Sequence, residues 1–121
     1  MGDVDYSHEE RNGVLIQDIT DWDGDPDESE EFEAEWIDLA GQSHIHGAVT
    51  KFGDGILLDD ESKEHFAEVW AQAADDVGVD RLALVAPGIK SRAINANLDA
   101  NQADVRSFSD PDEAFDWAVE A

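Results

Sequence analysis

The chain has 121 residues, with 31 Asp and Glu against 7 Lys and Arg and a formal net charge of -24. Its length suits one domain, and a hydrophobic fraction of 41% marks a folded chain, not a disordered one, despite the charge. That balance argues against DNA, RNA or an anionic membrane as partner, because no Lys/Arg patch is there to neutralise phosphates, and the lack of cysteine removes disulfide and thiol chemistry.

A surface so acidic repels itself in ordinary buffer, whereas at molar salt the screening length falls to about 3 Å and the repulsion is largely suppressed. Acid-rich, Lys-poor surfaces of this kind look like those of salt-in halophiles, so a haloarchaeal-type cytoplasmic setting is expected. The alternative, an acidic protein mimicking nucleic acid or binding a basic partner, would gather its charge on one face; here the acids run through every predicted helix and loop. Met1–Glu10 has neither a basic n-region nor an apolar h-region, and no apolar run approaches a membrane span.

In chain order, 1–12 is polar and reads as an edge or a frayed lead-in. Gly13–Thr20 is strand-like, and Asp21–Asp25 makes an acidic loop. A helix start is written in Asp25-Pro26-Asp27-Glu28: a capping Asp, Pro at N1 where its missing N–H costs nothing, and Glu at N3. Phe32, Trp36, Leu39 and Ala40 then share a face, and Gly41 ends the helix. His44–Phe52 alternates as a strand before the turn Gly53-Asp54-Gly55. A helix capped at Asp59 or Asp60 carries Phe66, Val69/Trp70, Ala73 and Val77 on one side and stops at Gly78. Arg81–Ala86 is apolar enough to be buried on both faces, as in a parallel sheet. Pro87-Gly88 breaks it, Ile89–Leu98 resumes at helical spacing, Val105–Phe108 is a strand, and Asp110-Pro111-Asp112-Glu113 opens a last helix. The expectation is a single α/β domain over 1–121, βαβαβαβα, with a small, mostly parallel sheet covered by helices. Trp36, Trp70 and Trp117 belong to its core, and Trp22, in a loop, is the aromatic expected to be partly exposed.

The run Arg81-Leu82-Ala83-Leu84-Val85, then a Gly-containing turn and helix, then Val105-Arg106-Ser107-Phe108 and Asp112-Glu113-Ala114-Phe115-Asp116-Trp117, resembles the SpoIIAA-like branch of the STAS superfamily. The likeness in letters covers Asp80 to Ala121; from Val14 to Gly78 it lies in element order. The resemblance implies a small α/β layer protein without catalytic machinery, serving as a regulatory or ligand-sensing domain. In the anti-sigma antagonist branch a Ser at the start of the helix after a central strand is phosphorylated by a partner kinase. That position here is Ser62, flanked by Glu61 and Lys63, and the family's Asp-Ser-(Ser/Thr)-Gly signature is absent.

Ligands of parallel sheets usually meet the loops after the strands. Among those loops Ala86–Arg92 stands out: Gly88, Lys90, Ser91 and Arg92 place two cations and a hydroxyl at a predicted helix N-terminus, where an anion, nucleotide or phosphate is favoured. The competing reading pairs both cations with neighbouring carboxylates. No metal or cofactor is expected. His44 and His46, alternating on a strand and so on one face, are the pair that could contribute to a metal site, but their spacing matches no metal signature. Asp21–Asp27 is not a calcium loop, since Pro26 stands where such a loop needs Gly. No nucleophile elbow is present. The functional expectation is therefore a non-catalytic regulatory or binding module engaging a protein or small ligand. The alternatives are an anion, nucleotide or lipid sensor at Gly88–Arg92, or a small hydrolase or transferase using that loop.

Overall fold

The computed structural model describes residues 6–22, 29–53, 64–86 and 104–120. Five strands, β1 (Ser7–Arg11), β2 (Val14–Ile19), β3 (Gly47–Phe52), β4 (Arg81–Val85) and β5 (Asp104–Phe108), lie in one sheet in the order β1-β2-β3-β4-β5. β1 is antiparallel to β2, and the other pairs are parallel. Helix α1 (Glu30–Ala40) links β2 to β3. A π-helical turn, Phe66–Trp70, continues into helix α2 (Ala71–Val77) before β4, and helix α3 (Pro111–Val119) follows β5. The expected α/β architecture with a mostly parallel sheet is thus present. The predicted helix over Ile89–Leu98 lies outside the described residues, as do the Asp25-Pro26 start and the Asp59/Asp60 cap.

The first hairpin has a local cause. Asn12 (φ 55°) and Gly13 (φ 80°) both adopt the left-handed region, as a two-residue turn of the type favoured between twisted antiparallel strands requires, and Asn-Gly is its usual sequence. β1 itself, Ser-His-Glu-Glu-Arg, has no buried residue and owes its strand conformation to pairing with β2. Its charges also discourage further strands from adding at that edge.

Register sorts the side chains into rows that cross the sheet. On one face lie Glu10–Leu15–Ala48–Leu82–Val105 and His8–Gln17–Thr50–Leu84–Ser107. Here α1, the π-turn and α2 deliver Phe32, Trp36, Ala40, Trp70, Ala71 and Ala74 onto Leu15, Ile19, Phe52, Leu82 and Leu84 to make the larger core. On the opposite face lie Arg11–Val14–Gly47–Arg81–Asp104, Glu9–Ile16–Val49–Ala83–Arg106 and Ser7–Asp18–Lys51–Val85–Phe108. α3 packs there, with Ala114 and Ala118 fully buried against Val14, Val49, Ala83 and Val85. Its start matches the sequence: Pro111 follows the cap, and the Asp110 carboxylate accepts a hydrogen bond from the Asp112 N–H at 2.9 Å. Arg81 and Arg106 hold Trp117 between them, their guanidinium carbons 5.1 and 5.3 Å from its ring, and Arg81 Nη1 also donates to the Trp117 carbonyl at 2.7 Å.

Gly47 lets α3 come this close. A Cβ at that position would stand 2.5 Å from the Ala118 carbonyl oxygen, a backbone atom that cannot step aside without moving the helix. Gly47→Val is expected to lift α3, exposing Ala114 and Ala118, and to destabilise by about 1–3 kcal/mol as overpacking does. Urea unfolding followed by circular dichroism in molar KCl measures it, and an unchanged midpoint would refute the contact.

The structure departs from the sequence expectation at four places. The strand expected over His44–Phe52 begins at Gly47, so His44 and His46 precede it and the alternation argument for a shared face lapses. Trp22, expected to be partly exposed, is 1% exposed, stacked on Trp70 (5.7 Å between centroids, 14° between planes) and edge-on to Phe32 at 5.3 Å. Trp117 is only half-buried: its ring packs on the margin of the α3-side core, 5.6 Å from the Phe108 ring, with the two arginines beside it. Val69, placed with Trp70 on the buried side, is 40% exposed. The π-turn explains this last case: its wider turn shifts the phase of the helix, so the buried positions become Trp70, Ala71 and Ala74.

Candidate functional site

Among the described residues, strands β2 to β5 run in sequence order, with no point at which strand order reverses, the usual origin of a ligand crevice in open α/β sheets. Gly88, Lys90, Ser91 and Arg92, the predicted anion loop, and Ser62, the predicted phosphorylation position, all lie outside the described residues. What the described residues offer lies on the two faces of the sheet.

Under α1 the row His8–Gln17–Thr50 forms a polar chain, buried at Gln17 and Thr50 and half-buried at His8. Thr50 Oγ1 donates to Gln17 Oε1 at 3.4 Å, and Gln17 Nε2 donates to the Phe32 carbonyl at 3.4 Å and approaches His8 Nε2 to 3.0 Å. For Gln17 to donate there, His8 must be the neutral tautomer with its proton on Nδ1, 3.3 Å from Glu35 Oε1. Burial lowers the His8 pKa, against the opposing pull of Glu35. Since the folded value lies below the unfolded one near 6.5, this group's contribution to stability is present above that pH and is lost as pH falls below it. The chain explains why Gln17 and Thr50 are buried at all: each finds a partner.

Tyr6 closes the outer end, donating to Glu35 Oε2 at 2.8 Å and to Glu31 Oε1 at 3.3 Å. The hydrogen bond to Glu35, with desolvation and the charges of both carboxylates, raises its pKa to about 12. Tyr6 is the one tyrosine in the chain, so its ionisation can be followed directly by tyrosinate absorbance. The folded protein is expected to titrate near pH 12 and the urea-unfolded chain near 10. The hydroxyl's contribution to stability is then full below pH 10 and lost as pH rises through 12. Coincident titrations would remove the Glu35 contact.

A second network joins α1 to the π-turn. His65 Nε2 lies 2.5 Å from Glu33 Oε2 and 3.4 Å from Ser29 Oγ, while Trp70 Nε1 donates to the same Glu33 oxygen at 2.5 Å. Serine, histidine and glutamate together invite comparison with a catalytic triad. The geometry is different: a relay needs the acid on one ring nitrogen and the hydroxyl on the other, whereas here both meet Nε2, and Ser29 is fully buried. The trio ties two helices together and presents no nucleophile.

Beside this network, between α1 and the π-turn, runs an apolar groove lined by Trp36, Ile37, Val69, Trp70, Ala73 and Leu82, with Gln17, Thr50 and Glu33 at its base. Its enclosed part is about 30 Å³, room for the tip of one apolar group. Ile37 (41% exposed) and Val69 (40% exposed) are its lips and the large hydrophobic side chains most exposed among the described residues. The charges on the flanking helices are acidic without exception: Glu30, Glu31, Glu33, Glu35 and Asp38 on α1, and Glu68, Asp75 and Asp76 beyond the groove.

The histidines considered for a metal are not brought together as a site. His44 Nε2 pairs with Glu10 at 2.7 Å, while the His46 ring fills the space where a side chain at Gly13 would stand. Among the described residues no cluster of three His, Asp or Glu side chains is placed to hold a metal ion, and no helix is long and apolar enough to cross a membrane. The groove escaped sequence reasoning because it depends on the phase shift of the π-turn, which exposes Val69 opposite Ile37. No family model matches the chain, and no curated protein and no solved structure matches it.

Proposed function

We propose that this chain is a non-catalytic, STAS-like regulatory module of a salt-rich cytoplasm that binds a partner protein through the groove between α1 and the π-turn. The observation that carries the reading is the pairing of exposed Ile37 and Val69 over an apolar notch, between helices bearing only negative charge. Its occupant is a partner segment with an apolar anchor, Leu-like in size, flanked by Lys or Arg. The anchor supplies affinity by leaving water, and the flanking cations select the partner and speed encounter, more so as salt is lowered. The element order, and the structural contacts made by Gln17, Thr50 and the Ser29–His65–Glu33 trio, support a module that recognises without reacting.

A synthetic amphipathic peptide with a Leu pair flanked by lysines tests this, because Trp36 and Trp70 line the groove and report by fluorescence. In molar KCl the peptide is expected to change the emission saturably, its glutamate-flanked counterpart is not, and Ile37→Glu with Val69→Glu should abolish the response while leaving the circular dichroism intact. Equal responses to both peptides, or a response that survives the double substitution, would sink the proposal.

A further inference from the structure

The opposite face of the sheet holds a second, larger cavity. α3 crosses β3 and β4 and leaves much of β1 and β2 uncovered. The open cleft between the flank of α3 and β1 has a volume of about 370 Å³, within the range of small-ligand pockets, and Arg11, Asp112 and Asp116 on its walls are exposed. It is independent of the groove under α1, since the sheet separates the two.

Its chemistry follows from register. Ile16 and Val49 are paired neighbours and form an apolar floor, with Phe115 of α3 above them. Of the described basic residues, Arg81 and Arg106 hold Trp117, while Arg11 and Lys51 both line this cavity. Neither has its donors filled by the contact it makes. Arg11 uses Nη2 on Glu9 at 2.7 Å and lies 5.7 Å from the Phe115 ring, which leaves most of a five-donor fork. Lys51 meets Asp18, its cross-strand neighbour, at a loose 3.9 Å. Facing them from α3 are Asp112 and Asp116. The strand wall carries Arg11 and Lys51 together with Glu9, which pairs with Arg11, and the helical wall carries Asp112 and Asp116; with the apolar floor, this mixture of charges matches a molecule carrying both signs of charge. A pure anion would meet Asp112 and Asp116, and a pure cation would meet Arg11 and Lys51.

We infer that this cavity binds a small zwitterion with an apolar body, an α-amino acid in chemical class: its carboxylate on Lys51 or Arg11, its ammonium on Asp112 and Asp116, and its side chain on Ile16, Val49 and Phe115.

Calorimetric titration of the full chain in molar KCl tests this with three probes of one skeleton: leucine, leucinamide, which lacks the carboxylate, and N-acetylleucine, which lacks the cation. Leucine is expected to bind at least tenfold more tightly than either analogue. Lys51→Met should weaken leucine and not leucinamide; Asp116→Asn should weaken leucine and not N-acetylleucine, and it serves independently if Lys51→Met fails to fold. No heat with leucine would overturn the inference. So would leucinamide binding as well as leucine, which would mean an acidic surface collecting cations, or N-acetylleucine doing so, which would mean an anion site.

Discussion

Trp70→Ala is expected to destabilise the fold by about 3–5 kcal/mol, the range for deleting a large core aromatic. The side chain is 9% exposed and stacks on two rings, Trp22 at 5.7 Å and Phe52 at 5.6 Å. Trp22 in turn meets Phe32, so one indole joins the ends of β2 and β3 to both α1 and the π-turn. The truncation opens a cavity that these rigid neighbours cannot close, and it removes the indole N–H that Glu33 accepts in the part-buried His65 network. Trp70→Phe keeps one ring in the stack while losing the donor and the smaller part of the side-chain volume. Urea unfolding in molar KCl should move the alanine midpoint down by roughly 1–5 M, given typical urea slopes, with the phenylalanine variant between it and the parent. An alanine variant within 1 kcal/mol of the parent, by the same roughly linear extrapolation, would mean that the aromatic cluster does not organise this face.

Removing salt is expected to have the other large effect. A folded chain of this length has a radius of gyration of about 14 Å. At 0.01 M salt the screening length is about 30 Å, so every carboxylate on the surface acts on every other; at 1 M it is about 3 Å and each acts only on its neighbours. With a formal charge of -24, and few of the acids offset by cations, the compact state should be populated at molar KCl and largely lost at low ionic strength. Near- and far-ultraviolet circular dichroism across a KCl series reads this out. Substituting a divalent salt at equal ionic strength tests whether screening alone is responsible. Full, cooperative folding at 0.01 M salt, where screening is roughly absent across the molecule, would rule out the salt-rich setting.

The sequence carried the parallel part of the fold where its signals were local and strong. The apolar run at Arg81–Ala86 contains β4, an interior strand of the sheet, and the Asp110-Pro111 start became the cap of α3. Gly78 ends α2 in the left-handed conformation, as a terminal Gly should. The first hairpin is written in its turn and not in its strands: Asn12-Gly13 sits directly between a polar edge and the apolar Val14–Ile19. An edge strand without apolar alternation is visible only through its turn. Trp22 is buried although it lies in a loop, because the rings of Phe32, Phe52 and Trp70, from three other elements, converge on it. Both clefts were invisible for a deeper reason. The groove depends on a one-residue phase shift in a helix, and the larger cavity on which strands α3 leaves uncovered; neither is a property of any short stretch. The rows Glu9–Ile16–Val49 and Asp18–Lys51 bring together residues distant in the chain.

The measurement that bears most directly on the groove as a docking surface is a nuclear magnetic resonance titration of the four indole N–H signals with the lysine-flanked peptide in molar KCl. The account predicts that the signals of Trp36 and Trp70, which line the groove, shift progressively with peptide, while that of Trp117, on the far side of the sheet between Arg81 and Arg106, stays in place. A shift confined to Trp117, or no shift at a peptide concentration that saturates the fluorescence change, would contradict it.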